Sequence, residues 1–275
     1  MNRYRVRSSL RLMLSCMTLL VASASHAQAD TSLSALRQAG VITIANTQES
    51  PPWSSIDQHN EPAGYDVDVA HEVAKRIGVA KVTFVADTFS NFVDGLRTGK
   101  YDIVVNSMAA TTERKKIVDF SDAYAPQEFR IWVNARSGDI KGVTDLAGKN
   151  IGVGAGTSNE VWARAHLPNS TIHSYDNSGF LYGDLAAGRV DALIESHFAG
   201  QKERDINHLP IKEVGPPLTI SLGCVAIPKN KPALVGAINK AIADMVADGT
   251  LEKLGHKWLG ADYDVVGDIQ IVTGK

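Results

Sequence analysis

The feature that most constrains this chain is a series of short apolar segments alternating with amphipathic ones, met twice. Residues 41–45 (Val-Ile-Thr-Ile-Ala) are short and β-branched, and read as a strand. From Asp66 onward Val69, Val73 and Ile77 recur every four residues, which places them on one helix face, and Gly78 ends the run. A strand at 82–85, a helix at 89–98 and a strand at 101–105 follow. The alternation then restarts, with strands expected at 131–133, 151–153 and 190–194 and helices at 144–148, 160–166 and 181–187. A last amphipathic helix over 233–248 carries Leu234, Ile238, Ile242 and Met245 on one face, and a shorter helix runs to Trp258. This order predicts an α/β chain of two units, each a mostly parallel sheet covered by helices. Residues 96–102 and 185–191 share one pattern: a helix end, a glycine, a cation, and an acid entering a strand. Two units built alike and two ordinary helix-to-strand turns both account for it.

The N-terminus reads differently. Arg3, Arg5, Arg7 and Arg11 precede an apolar stretch over 12–24, and Ser25 and Ala27 flank His26. That is the pattern of a secretory signal over 1–27, cleaved after Ala27. Its apolar part is shorter than the about 20 residues that a membrane-spanning helix needs. Without its four arginines the chain has 24 Lys and Arg against 30 Asp and Glu, a net of −6. A modest negative charge gives no footprint for nucleic acid or anionic lipid. Cys16 leaves with the signal and Cys224 remains alone, so no internal disulfide is expected and the thiol reads as a buried, inert group. No nucleotide-binding loop, zinc-spaced cluster or Ser-His-Asp pattern is present, and neither a cofactor nor a metal is expected.

Several phrases, in order, carry a resemblance. They are Pro51-Pro52-Trp53, then Gly64-Tyr65-Asp66-Val67-Asp68-Val69-Ala70, then the segment 112–124 from Thr112-Glu113-Arg114 to Asp122-Ala123-Tyr124. Asp145-Leu146-Ala147-Gly148-Lys149, Gly156-Thr157, Asp248-Gly249-Thr250-Leu251 and Lys257-Trp258-Leu259-Gly260 complete the series. Together they resemble the bacterial periplasmic solute-binding proteins of family 3, which serve ABC importers of polar amino acids. The resemblance implies a two-lobed, type II periplasmic-binding-protein fold. Lobe 1 would hold 28–127 and 220–275, lobe 2 would hold 128–219, and the chain would cross near Glu128 and Thr219. Ligands of open α/β sheets lie beyond the carboxyl ends of the strands, so the residues following the strands are the expected site.

Arg114 leads, because a guanidinium fork matches a carboxylate bidentately and the matching family position clamps the ligand's carboxylate. Asn106 and Ser107 follow a strand and are implied to add backbone and hydroxyl donors, although Ala109 stands where the family usually has a hydroxyl. Thr157 and Ser158 open a helix, where free N–H groups suit an anion. Thr157 or Ser158 also reads as a simple N-cap. Trp53 and Tyr65 lie in segments that line the cleft in the family, and Tyr65 is the preferred wall residue. Amino-acid binders of the family hold the ammonium with acids where this chain has Thr47 and Ser196. Glu49 and Glu195 are the neighbouring acids, and one position along a strand reverses a side chain, so Glu195 is expected to point away unless the strand bulges. The implied function is a monomeric periplasmic protein that delivers an amino acid or related small carboxylate to an inner-membrane ABC permease. The alternatives are an exported cyclohexadienyl or prephenate dehydratase-like enzyme, with Glu195 as its acid, and a periplasmic ligand sensor.

Overall fold

The computed structural model describes residue 30 and residues 32–274. The signal expected over 1–27 lies outside them. The described chain opens with α1 (Ser32–Ala39), β1 (Val41–Asn46), a small hairpin of β2 (Ser55–Ile56) and β3 (Pro62–Ala63), and α2 (Tyr65–Arg76). β4 (Lys81–Ala86), α3 (Phe92–Thr98), β5 (Ile103–Ala109) and the one-turn α4 (Thr112–Lys115) lead into β6 (Val118–Asn134). Next come β7 (Asn150–Gly154), α5 (Ser158–His166), β8 (Thr171–Tyr175), α6 (Ser178–Ala186), β9 (Ala192–Ser196) and α7 (His197–Asn207). β10 (Ile211–Pro228), α8 (Pro232–Ala247), α9 (Thr250–Trp258) and α10 (Val265–Thr273) complete it. The helix expected at 144–148 is a 3-10 turn over Val143–Leu146, and the one expected at 89–98 begins as a 3-10 turn over Phe89–Asn91.

Eight strands form one sheet in the order β4-β1-β5-β10-β6-β9-β7-β8. β4, β1 and β5 are parallel, as are β9, β7 and β8. Between these two sets lie β10 and β6, antiparallel to each other and to their neighbours. The strand expected at 131–133 is the end of the 17-residue β6. Its pairing with β10 links the sets, with Glu128 opposite Ile220 and Phe129 opposite Thr219. The ladder breaks between Val214 and Thr219, where Gly215 has a φ of 73° and Pro216 and Pro217 have no N–H to donate.

Alternating side chains fill the layers on either side of the sheet. Ile131 and Val133 of β6 join Ile151, Val153 and Ile194 on one face, while Trp132 joins Leu181, Leu185 and Leu193 on the other. At the opposite end Val69 and Val73 of α2 and its C-cap Ile77, the predicted stripe, pack with Ile42, Ile44 and the α8 face of Leu234, Ile238, Ile242 and Met245. Phe198 and Ala199 of α7 also join this first core, although they lie in the stretch assigned to the second unit.

The paired phrases prove to be the same device used twice. Gly99 and Gly188 both adopt positive φ, 72° and 73°. Asp102 then accepts bonds from Thr43 N–H and Oγ, both at 2.7 Å, at the start of β1. Asp191 does the same for Asn150 N–H (2.7 Å) and Nδ2 (3.3 Å) at the start of β7. Each acid ties the entry of its own strand to that of the neighbouring strand.

Candidate functional site

A cavity of about 90 Å³ opens between the two halves of the sheet. Its walls are the segments that follow β1 (Thr47, Glu49, Ser50, Trp53), β7 (Ala155, Thr157, Ser158, Asn159) and β8 (Asp176, Ser178), with the strand ends Asn106, Ser107, Ala109, Gly154, Tyr175, Glu195 and Ser196. Phe89, Gln127, Phe129, Leu181 and Ser221 complete it. These are the carboxyl ends of parallel strands from both sets, the position that α/β sheets offer to ligands.

Of the two aromatics, Trp53 reaches this cavity and Tyr65 does not. Tyr65 is the first residue of α2, and its N–H is tied to Pro52 O at 2.8 Å, which turns the side chain inward. There it stacks on Tyr124 at 6.2 Å and donates to the Tyr124 carbonyl at 2.6 Å, fully buried. Trp53 meets Tyr65 and Phe198 edge-on, at 5.8 and 5.9 Å.

Ser107 lines the cavity, but its hydroxyl is committed behind it. It donates to Asp66 Oδ1 at 2.7 Å, as does the Tyr124 hydroxyl, and Ser107 N–H donates to Tyr124 Oη. The backbone of Ser107 has a φ of 44°, in the left-handed region, and these bonds hold it there. Ser107 therefore cannot supply the hydroxyl that Ala109 lacks. Burial raises the Asp66 carboxyl to about 7. Asn106 accepts from Thr47 N–H at 2.9 Å and fixes the loop after β1.

Thr157 is the N-cap of α5. Its hydroxyl accepts from Glu160 N–H at 3.3 Å and donates to Gly154 O at 2.7 Å. That uses its one proton, so in this state it has none for a ligand. Ser158, beside it on the wall, is in the first turn of α5, whose N–H groups have no intrahelical partner.

Glu49 and Glu195 part company. Glu49 reaches across the cavity and accepts from Asn177 Nδ2 and from the N–H of Ser178, at the start of α6. It joins the halves instead of facing a ligand freely, and burial raises its carboxyl. Ser90 to Asp176 (2.9 Å) and Arg114 to Gly156 O (2.6 Å) are two further ties across the opening. Glu195 does not point away: it lines the cavity together with Ser196, the N-cap of α7, although both pair in regular register with β6. Glu195 Oε1 accepts from Ser196 N–H at 2.8 Å, and burial raises the carboxyl to about 7.

Arg114 stands at the rim, held by Ala109 O at 2.8 Å and by Gly156 O, with its guanidinium 5.2 Å from the centre of the Phe89 ring. Burial lowers it to about 10, since no carboxylate accompanies it. Phe89 had no signal in the sequence beyond being aromatic at a strand-to-helix turn. Among the described residues no group of His, Cys, Asp or Glu is arranged to hold a metal, and no helix is long and apolar enough to cross a membrane.

This architecture, two sheet halves joined by two long strands with a cavity between them, is that of type II periplasmic binding proteins. Residues 42–261 match the bacterial extracellular solute-binding proteins, family 3, and the chain belongs to that family. It is 31% identical over 231 residues to the L-cystine-binding protein TcyJ of Escherichia coli (strain K12), covering 84% of this chain and 86% of that one. It is 32% identical over 239 residues to the histidine-binding periplasmic protein of Salmonella typhimurium, with 82% and 89% covered. Among solved structures, the ancestral amino acid-binding protein AncCDT-1, a precursor of cyclohexadienyl dehydratase, superposes with a TM-score of 0.77 at 31% identity, over 82% of this chain and 99% of that one.

Proposed function

We propose that the protein is the periplasmic solute-binding component of an ABC importer, and that it holds an amino acid or a related small carboxylate between its lobes. The lobes take in 28–127 with 220–275, and 128–219, with Phe198 and Ala199 of the second packing into the core of the first. Residues 1–27 direct export, and the protein works as a monomer that presents its closed form to an inner-membrane permease.

One observation carries this reading. Glu195 lines the cavity, Arg114 of the other lobe is bonded to the wall residue Ala109 and lies over the wall residue Phe89, and neither has an ion-pair partner among the described residues. Burial acts on both in the direction that disfavours charge. A carboxylate at Arg114 would reverse the first shift and a cation at Glu195 the second. A ligand shifts the open–closed balance only through contacts made better in the closed form, and Arg114 and Glu195 supply such contacts from different lobes. Binding without chemistry is favoured because the relatives are named as binding proteins.

The test is a thermal titration of refolded, ligand-free protein with the twenty protein amino acids, L-cystine, succinate and prephenate. A ligand at 100 times its Kd adds about 2.7 kcal/mol of stability. An amino acid or small carboxylate should raise the melting temperature, and Arg114→Ala should abolish the rise. Consumption of prephenate would make the protein an enzyme, and no response to any compound would sink the binding reading.

A further inference from the structure

Residue 107 is held in a conformation that serine seldom takes. Its φ of 44° is left-handed, where a Cβ is disfavoured. It also sits in a bulge: Met108 pairs with Cys224 and Val104 with Ala226, so residues 105–107 of β5 are set against the single residue Val225. Hydrogen bonds brace it there. Tyr124 Oη accepts from its N–H and Asp66 Oδ1 from its hydroxyl, both at 2.7 Å, and Gln127 Nε2 donates to its carbonyl at 3.3 Å. Asp66 Oδ1 also accepts from the Tyr124 hydroxyl at 2.7 Å, so one oxygen anchors both of the short bonds. Asp66 Oδ2 has no partner among the described residues, and the side chain bonds to nothing but Ser107 and Tyr124. Gly223 of β10 closes another side, since a Cβ there would lie 2.8 Å from Ser107 Cα. Beyond the bulge β5 ends at Ala109, a wall residue whose carbonyl accepts from Arg114 Nη1 at 2.8 Å. Asp66 itself is fully buried on α2 and is not part of the wall.

We propose that Asp66 is a positioning residue for the ligand: through Ser107 it fixes the bulge that sets where β5 ends, and with it the Ala109 carbonyl on which Arg114 rests. This rests on the solute-binding reading above and adds to it a residue that touches no ligand. Glycine would take the left-handed form at no steric cost but would leave the segment free to move. Serine is strained there, and its hydroxyl is the handle by which Asp66 holds it. Arg114 also reaches Gly156 O of the other lobe at 2.6 Å, so a displaced end of β5 would disturb the closed form as well.

The test separates the conformation from the hydroxyl. The twenty protein amino acids, L-cystine and succinate are screened on refolded wild type by thermal titration. The compound bound most tightly is titrated by calorimetry into each variant whose melting stays near wild type. Ser107→Ala loses the bond to Asp66 and keeps its Cβ, and should bind about tenfold more weakly. Ser107→Gly loses the same bond but takes the left-handed form freely, and should stay within about threefold of wild type. Asp66→Asn keeps an acceptor and should bind like wild type. Asp66→Leu should not, and adding Ser107→Gly to it should recover most of the loss, whereas a merely structural role would not be relieved at residue 107. The inference is overturned if Ser107→Ala binds like wild type or if both serine variants are weakened equally. It is also overturned if Ser107→Gly leaves the Asp66→Leu loss in place. A crystal structure of ligand-free Asp66→Leu, or of Ser107→Ala if that variant does not fold, gives a readout that needs no ligand. Residue 107 should leave the left-handed region and Arg114 should lose Ala109 O; retention of both overturns the inference whatever the protein binds. Failure of every compound to bind wild type removes instead the solute-binding reading on which it rests.

Discussion

Replacing Glu195 by Gln should stabilise the ligand-free protein at alkaline pH, and the size of the effect follows from the site. Glu195 has one backbone donor, a long contact to Asn159 and no cation, and burial raises its carboxyl from 4.5 to about 7. The unfolded chain gives up this proton near 4.5, but the folded protein keeps it to about 7. Stability is therefore fullest below the lower value, falls as pH rises between the two, and stays reduced above the upper one. At 1.36 kcal/mol per pKa unit the reduction is about 3 kcal/mol. Glutamine cannot ionise, so Glu195→Gln escapes it. For a chain of this size about 1 kcal/mol moves the melting temperature by 2–4 °C, which sets an upper limit of roughly 6–12 °C at pH 8. Asp66, which burial also raises to about 7, contributes the same slope to both proteins and cancels in the difference. The assay is thermal unfolding of refolded, ligand-free wild type and variant from pH 4 to 8. A gap that opens with pH supports the account. A variant that melts at or below wild type at pH 8 would refute it, because Glu195 would then have a partner that compensates its charge.

Gly200→Ala should destabilise by about 1–3 kcal/mol, since its Cβ would lie 2.1 Å from Cε2 of the fully buried Trp132; an unchanged denaturation midpoint would contradict this. Asp102→Ala and Asp191→Ala each remove two bonds at a strand entry and should each cost about 1–3 kcal/mol by urea unfolding. A large loss in one and none in the other would show that the two devices are not equivalent. Cys224 is 6% exposed and burial pushes its thiol up to about 11, so in protein beginning at residue 28 it should react with a disulfide reagent at pH 8 only on unfolding; rapid labelling of the native form would contradict that.

Much of the α/β order was legible because apolar spacing reports burial directly: the stripes of α2 and α8 were readable residue by residue. The long β6 and β10 were not, because they change surroundings midway and their patterns of exposure never settle into one period. Residues 171–175, only partly buried at the sheet edge, gave no apolar signal for β8. Of the residues singled out in the sequence, Thr157, Ser158, Asn106, Trp53 and Ser196 lie on the cavity wall, and Arg114 is bonded to the wall residue Ala109. Tyr65 was misplaced because the sequence does not reveal which way the first residue of a helix turns. Ser107 was placed correctly, but its hydroxyl faces an acid 41 residues away, a partner that only the tertiary fold supplies. Glu195 was misjudged because strand alternation was taken to exclude it, whereas Glu195 and Ser196, the last two residues of β9, both line the cavity. Asn159 carried no signal at all, since an Asn in a first helical turn is ordinary.

The most direct test of the paired charges is proton release on binding, by calorimetry at pH 7 in two buffers of different ionisation enthalpy. The ligand would be the amino acid that raises the melting temperature most. With Glu195 near 7 it is about half protonated beforehand, and an ammonium beside it should drive out the remaining proton. Close to half a proton should be released per ligand by wild type and none by Glu195→Gln. No release by wild type, or equal release by both proteins, would mean that no ammonium meets Glu195 and that the ligand lies elsewhere.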